Sequence, residues 1–128
     1  FRLDLQRWQQ LTQVQQECIM GRGKLDGQLL ATEQLLDESH AKIATTLDIG
    51  GQHLPLLFQN MPYGHLRVQG LLMFGYSANP ECYLQWMRAR LGEPGQQNYD
   101  MLLDYVQADS GAAFFAPSLN FLEEHAGL

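Results

Sequence analysis

The chain has 128 residues, enough for one domain with one hydrophobic core, and 45% of them are hydrophobic, which excludes a disordered segment. The net charge of −6, with only eight Lys and Arg, opposes binding to nucleic acid or to an anionic membrane surface. No run approaches the roughly 20 apolar residues of a membrane helix, and no signal-peptide pattern is present. Cys18 and Cys82 lie far apart in helix-like segments and read as buried free thiols of a reducing compartment, so a cytoplasmic location is expected. Phe1-Arg2-Leu3-Asp4 reads as the tail of a strand already under way, a hint of residues upstream.

Asp4 is placed to cap a first helix, in which Trp8, Leu11, Val14, Cys18 and Ile19 recur at helical spacing until Gly21 and Gly23 end it. A long connection follows to Asp48, with a turn signal at Asp26-Gly27 and room for a short helix over 29–36. Connections of this length in small domains are often functional. Residues 54–59 read as a strand with Pro55 near its start, and 71–76 as a buried apolar strand. Asn79, Pro80 and Glu81 form a strong helix start, with Tyr83, Leu84, Met87 and Leu91 as the inner face and Gly92 as the stop. After a loop over 93–97, Tyr99, Leu102, Leu103 and Val106 predict a third helix, and 112–116 a last strand closed by Pro117. This order is that of a single α+β domain over 1–128, a ferredoxin-like antiparallel sheet with helices on one face.

The chemistry concentrates between Asp37 and Gly64, in Asp37-Glu38-Ser39-His40 and Phe58-Gln59-Asn60-Met61-Pro62-Tyr63-Gly64. A neutral imidazole is a good iron ligand, although a histidine in a polar loop is by itself usually surface. His53, His65 and His125 have no comparable setting. The two segments together resemble the haem half of a dye-decolorising (DyP-type) peroxidase of the bacterial branch. There, a Ser-His pair supplies the iron ligand and a segment Arg-x-Asn/Ser-x-Pro-aromatic-Gly follows. Further resemblances fall in the same order: Glu17 to Gly27, Gly70 to Tyr76, Tyr99 to Tyr105, Ser110 to Ser118 and Phe121-Leu122-Glu123.

The resemblance covers the C-terminal ferredoxin-like domain only, of the dimeric α+β barrel type. It implies haem b held by His40. Arg22 and Lys24 would pair with the propionates, and Met73 or Phe74 would face the haem from the buried strand. Asp100 or Asp104 would accept the other imidazole N–H, and Asn60 would act on the distal side as a catalytic group. Phe58 stands where the family has its distal Arg, whose stabilisation of negative charge Phe cannot supply. Arg67, nearby in sequence, is not expected to replace it. The family's distal Gly-x-x-Asp-Gly motif lies before this region. The literal match Gly23-Lys24-Leu25-Asp26-Gly27 falls in a segment that already has its own counterpart.

The implied function is a peroxidase that uses hydrogen peroxide to oxidise an organic reductant, impaired by Phe58. It would be completed by an N-terminal domain or a second chain, and a homo-oligomer is expected. Tyr63, Tyr76, Trp8 and Trp86 are candidates for carrying an electron to bulky substrates, against a default of core packing. Two other readings stand beside it: a non-catalytic haem carrier with an apolar distal pocket, and a cofactor-free module that self-associates through an uncovered sheet face.

Overall fold

A computed structural model describes residues 1–45, 48–49, 52–53, 55–92 and 98–126. The chain runs β1 (Arg2–Leu3), α1 (Leu5–Gln9), α2 (Gln13–Met20), α3 (His40–Thr45), β2 (Asp48–Ile49), β3 (Gln52–His53), β4 (Leu57–His65), β5 (Val68–Tyr76) and α4 (Pro80–Leu91). A 3-10 helix (Met101–Tyr105), β6 (Val106–Gln107) and α5 (Leu119–His125) follow. The main sheet has the order β4-β5-β1-β6, and each neighbouring pair is antiparallel. This is the ferredoxin-like α+β order, with the first strand between the third and fourth. The short β2–β3 ladder stands apart.

The β4–β5 hairpin pairs from Leu57↔Tyr76 to His65↔Val68, so Pro62 lies inside a nine-residue strand. Proline is tolerated there because β4 is an edge strand. Strand alternation turns Phe58 and Asn60 to one face with Leu71 and Met73, and Leu57, Met61, Leu72 and Phe74 to the other. The first face meets α4, where the Phe58 ring lies 4.4 Å from Trp86 and 6.3 Å from Tyr83. Trp86 Nε1 donates to the Ala44 carbonyl at 3.1 Å and ties α4 to α3. Among the described residues, the buried apolar side chains are Ile19 of α2, Ala41 of α3 and Trp86 of α4.

The expected first helix is two. Asp4 caps α1 by accepting from Arg7 N, and Thr12 opens α2 with Gln15 in a capping box. The break redirects the apolar stripe, so Val14 is exposed while Gln16 and Ile19 are buried. α2 ends at Gly21, whose φ of 72° is the left-handed cap conformation. A Cβ there would lie 2.9 Å from Ala41 Cβ, Leu35 Cδ1 and Ser39 Oγ. Gly21 thus lets the end of α2 seat directly against the segment that opens α3.

Residues 29–36 form no helix: Leu29 bridges Arg22 and a turn covers 32–34. Asp26-Gly27 does turn, with Gly27 at φ 67° and its N–H donated to Gly23. Asn79 caps α4 by accepting from Glu81 N, and Gly92 ends it, as expected. The helix over 99–106 shrinks to the 3-10 helix. The last strand is not 112–116 but β6, which pairs with Arg2 and Leu3. Residues 112–116 lie exposed outside any sheet. Leu54, and the loop over 93–97, fall outside the described residues.

Candidate functional site

Ser39 and His40 open α3, and the Ser39 carbonyl accepts the first helical N–H groups, from Lys42 and Ile43 at 3.1 Å each. Ser39 is fully buried, and its Oγ has no hydrogen-bond partner among the described residues. Asp100 is brought to His40 by the backbone. Its N–H donates to the Arg90 carbonyl at 2.9 Å, and the next N–H, of Met101, donates to Glu38 at 3.0 Å. Asp100 also caps the 3-10 helix, its Oδ1 accepting from Leu102 N at 3.0 Å.

His40 Nδ1 then meets Asp100 Oδ2 at 2.8 Å. The same oxygen accepts from Arg90 Nε at 2.8 Å and pairs with Arg90 Nη2 at 2.7 Å. The Asp100 and Arg90 side chains are 0% and 6% exposed, whereas His40 retains 27%. Burial by itself pushes the Asp100 carboxyl up, but the bonds and charges of His40 and Arg90 outweigh it and hold the carboxyl below its ordinary value. The Arg90 guanidinium carbon lies 4.9 Å from the Trp86 ring centroid, within cation–π range.

With Nδ1 engaged, Nε2 is the ring nitrogen left for a ligand. His40 lines a half-open cavity of about 470 Å³. Its walls are mostly apolar: Phe58, Leu71, Met73, Trp86 and Leu102 are among them, with Asn60 as a polar group. An imidazole fixed by a buried carboxylate in an apolar, open cavity can coordinate a metal carried by a flat hydrophobic cofactor.

Of the site residues expected from sequence, the cavity gathers His40, Phe58, Asn60 and Met73, and Asp100 stands directly behind His40. Asp104 is not at the site, since its carboxylate accepts from Tyr99 Oη at 2.9 Å. That contact raises the Tyr99 phenol above its ordinary value. Phe74 is turned to the other sheet face, where it stacks on Tyr76. Arg22 and Lys24 do not line the cavity. Arg22 donates to the Gly27 carbonyl, and Lys24 Nζ to Gln16 Oε1 at 2.8 Å. Arg67, at the exposed tip of the β4–β5 hairpin, also stays outside it.

Arg90 and Trp86 were not assigned to this site by sequence. Apolar periodicity put Leu84 and Leu91 on the inner face of α4, yet both are exposed, and the buried stripe carries Trp86 and Arg90. Their four-residue spacing beside Tyr83 was the available signal. Arginine is so seldom buried that the pattern did not stand out.

The family model for the C-terminal part of Dyp-type peroxidases matches residues 1–121. The chain belongs to the Dyp-type peroxidase family. It is 32% identical over 124 residues to the dye-decolorizing peroxidase of Rhodococcus erythropolis, covering 94% of this chain and 36% of that one. It is 33% identical to that of Mycolicibacterium paratuberculosis, covering 94% and 35%. Among solved structures, a haem complex of a DypB variant from Rhodococcus jostii superposes with a TM-score of 0.81 at 34% identity, covering 95% of this chain and 40% of that one. A dyp-type peroxidase protein from Shewanella oneidensis gives 0.80 at 33% identity, covering 96% and 40%. This Dyp-type chain thus spans little more than a third of the curated relatives it matches. Among its described residues no helix is long and apolar enough to cross a membrane.

Proposed function

We propose that this domain carries the haem ligand of a hydrogen-peroxide-dependent peroxidase acting on organic reductants. The observation that carries the reading is His40, its Nδ1 bonded to buried Asp100, in the wall of the apolar cavity. Haem b suits that cavity, and His40 Nε2 would hold its iron. When bound, haem supplies the redox chemistry. The domain's own residues fix the ligand ring, exclude water along the Phe58, Met73 and Trp86 walls, and offer Asn60 as a hydrogen-bonding catalytic group. A distal aspartate would come from another domain or chain.

Phe58 makes the reading specific. Its ring packs on Trp86 and supplies no charge to the cavity. Electrostatic support for peroxide cleavage is therefore weak, which also favours the alternative of a haem-binding carrier. Partner docking is supported by the outer face of β4 and β5, where Leu57, Met61, Leu72, Phe74 and Tyr76 are exposed. An apolar run such as 71–76 is characteristic of a strand covered on both faces. That cover would be an N-terminal domain or a second copy. Free Cys18 and Cys82 support a cytoplasmic setting.

The test is a haemin titration of the chain followed by absorption, beside His40→Ala. A saturable Soret change that the variant loses establishes the ligand, and peroxide turnover then separates enzyme from carrier. Identical titrations of the two overturn the assignment.

A further inference from the structure

Asp100 does not serve His40 alone. Its Oδ2 takes one N–H from His40 and one from Arg90 Nε, each at 2.8 Å, with Arg90 Nη2 paired to it at 2.7 Å, while Oδ1 takes the Leu102 N–H. A carboxylate that serves only an imidazole draws strongly on the ring N–H and raises the basicity of the ligand. Here a planar guanidinium holds the same oxygen through its Nε–H and an Nη2 ion pair and neutralises its charge in a dry setting. The guanidinium is fixed in turn by the Trp86 ring, and the Arg90 carbonyl receives the Asp100 N–H.

Resting on the reading of His40 as the iron ligand, we infer that Arg90 is a positioning residue that sets how strongly Asp100 draws on that ligand. It keeps Oδ2 on the Nδ1–H and restrains the imidazole from imidazolate character. A restrained ligand donates less electron density to iron. Phe58 brings no charge to the same cavity, so the two residues act in the same direction. Both are held through one helix, because Trp86 packs on Phe58 and on Arg90.

The experiment loads the chain with haemin, reduces it, and records the iron–imidazole stretching band by resonance Raman, with the iron midpoint potential alongside. The unaltered chain is compared with Arg90→Gln, Arg90→Lys and His40→Ala. Arg90→Gln is expected to move the band to higher frequency and the potential to a lower value, since Asp100 is then free for His40. Arg90→Lys keeps the charge with a single contact point, so its band is expected between the other two. It also supplies the reading if Arg90→Gln does not fold. A band at or below the native frequency in either folded Arg90 variant overturns the inference. His40→Ala separates this from the underlying reading: persistence of the native band in that variant removes His40 as ligand, whatever the Arg90 variants do.

Discussion

On the helix side of the β4–β5 hairpin, Phe58, Leu71 and Met73 wall a cavity against α3 and α4. On the reverse side Leu57, Met61, Tyr63, Leu72, Phe74 and Tyr76 remain between 39% and 67% exposed. The same backbone supports both sets, since neighbouring residues of a strand point to opposite faces. Composition does not distinguish them, as both are apolar and aromatic. The difference lies in what packs across from each. One face has α4, with Trp86 and Arg90, and behind it the ion pair that holds His40. The other has nothing packed on it among the described residues, and its apolar residues suit a second surface. The comparison predicts that stability concentrates on the helix side and that changes on the reverse side are nearly silent within the isolated domain.

The largest effect is expected from Asp100→Ala. It leaves the Arg90 guanidinium buried without a counter-charge and removes the cap on the 3-10 helix. Breaking one partner of a buried ion pair costs about 3–5 kcal/mol, so the variant should lose most of its urea stability. A loss below about 1 kcal/mol, the range of surface ion pairs, would mean the pair is solvated. Next comes Trp86→Ala, expected to cost on the order of 3 kcal/mol by removing a buried ring. That variant also loses the indole bond to Ala44, and its circular dichroism should report loosening of α3 as well as of α4.

How much of this was legible in the sequence depends on what each residue's role required. The α+β pattern with its first three main-sheet strands, the Asn79 cap, the Gly92 stop and the interest of His40, Asn60 and Phe58 follow from local pattern and from family resemblance. The choice between Asp100 and Asp104 did not, because both sit near the start of a short helix and only the backbone bonds of 100 and 101 to Arg90 and Glu38 select one. The fourth strand was missed because β6 has two residues, too few for any period, while 112–116 has strand-like composition and no partner. The choice between Met73 and Phe74 stays open in the sequence because a wholly apolar strand gives no parity.

Phe58→Arg would sharpen the comparison from the cavity side. If the domain takes part in peroxide cleavage, a cation at this position in the cavity that His40 lines should raise the cleavage rate on the order of 100-fold, the scale of one electrostatic donor. Stopped-flow mixing of the haem-loaded variant with peroxide measures it. An unchanged rate would favour the carrier reading.

A smaller effect follows from acid. The Asp100 carboxyl is held below its ordinary value of 3.8, because the His40 and Arg90 interactions outweigh a burial effect of opposite sign. A group depressed in the folded state binds fewer protons there than in the unfolded chain. Its stabilisation is therefore complete above the ordinary value and is lost as pH falls through the folded one. Unfolding monitored from pH 6 down to about pH 2 should show a steep loss below pH 4 that Asp100→Asn flattens. Parallel curves for the two proteins would show that other carboxylates govern acid unfolding.

The smallest effect, and the one that most directly tests the contrast between the two faces, is expected from Phe74→Ser. Phe74 is 39% exposed, and its aromatic neighbour, Tyr76, is half exposed on the same open surface. Surface substitutions of this kind change stability by about 0.5 kcal/mol or less. The residue immediately before it, Met73, is half-buried in the cavity wall, and Met73→Ala is expected to cost about 1 kcal/mol, the centre of the range for single substitutions. Equilibrium urea unfolding of this adjacent pair isolates the facing direction from position along the strand. Equal losses would mean that the outer face is already covered within the chain or by self-association. A concentration-dependent loss for Phe74→Ser alone would then identify a second copy as the cover, since only an assembly makes apparent stability depend on protein concentration.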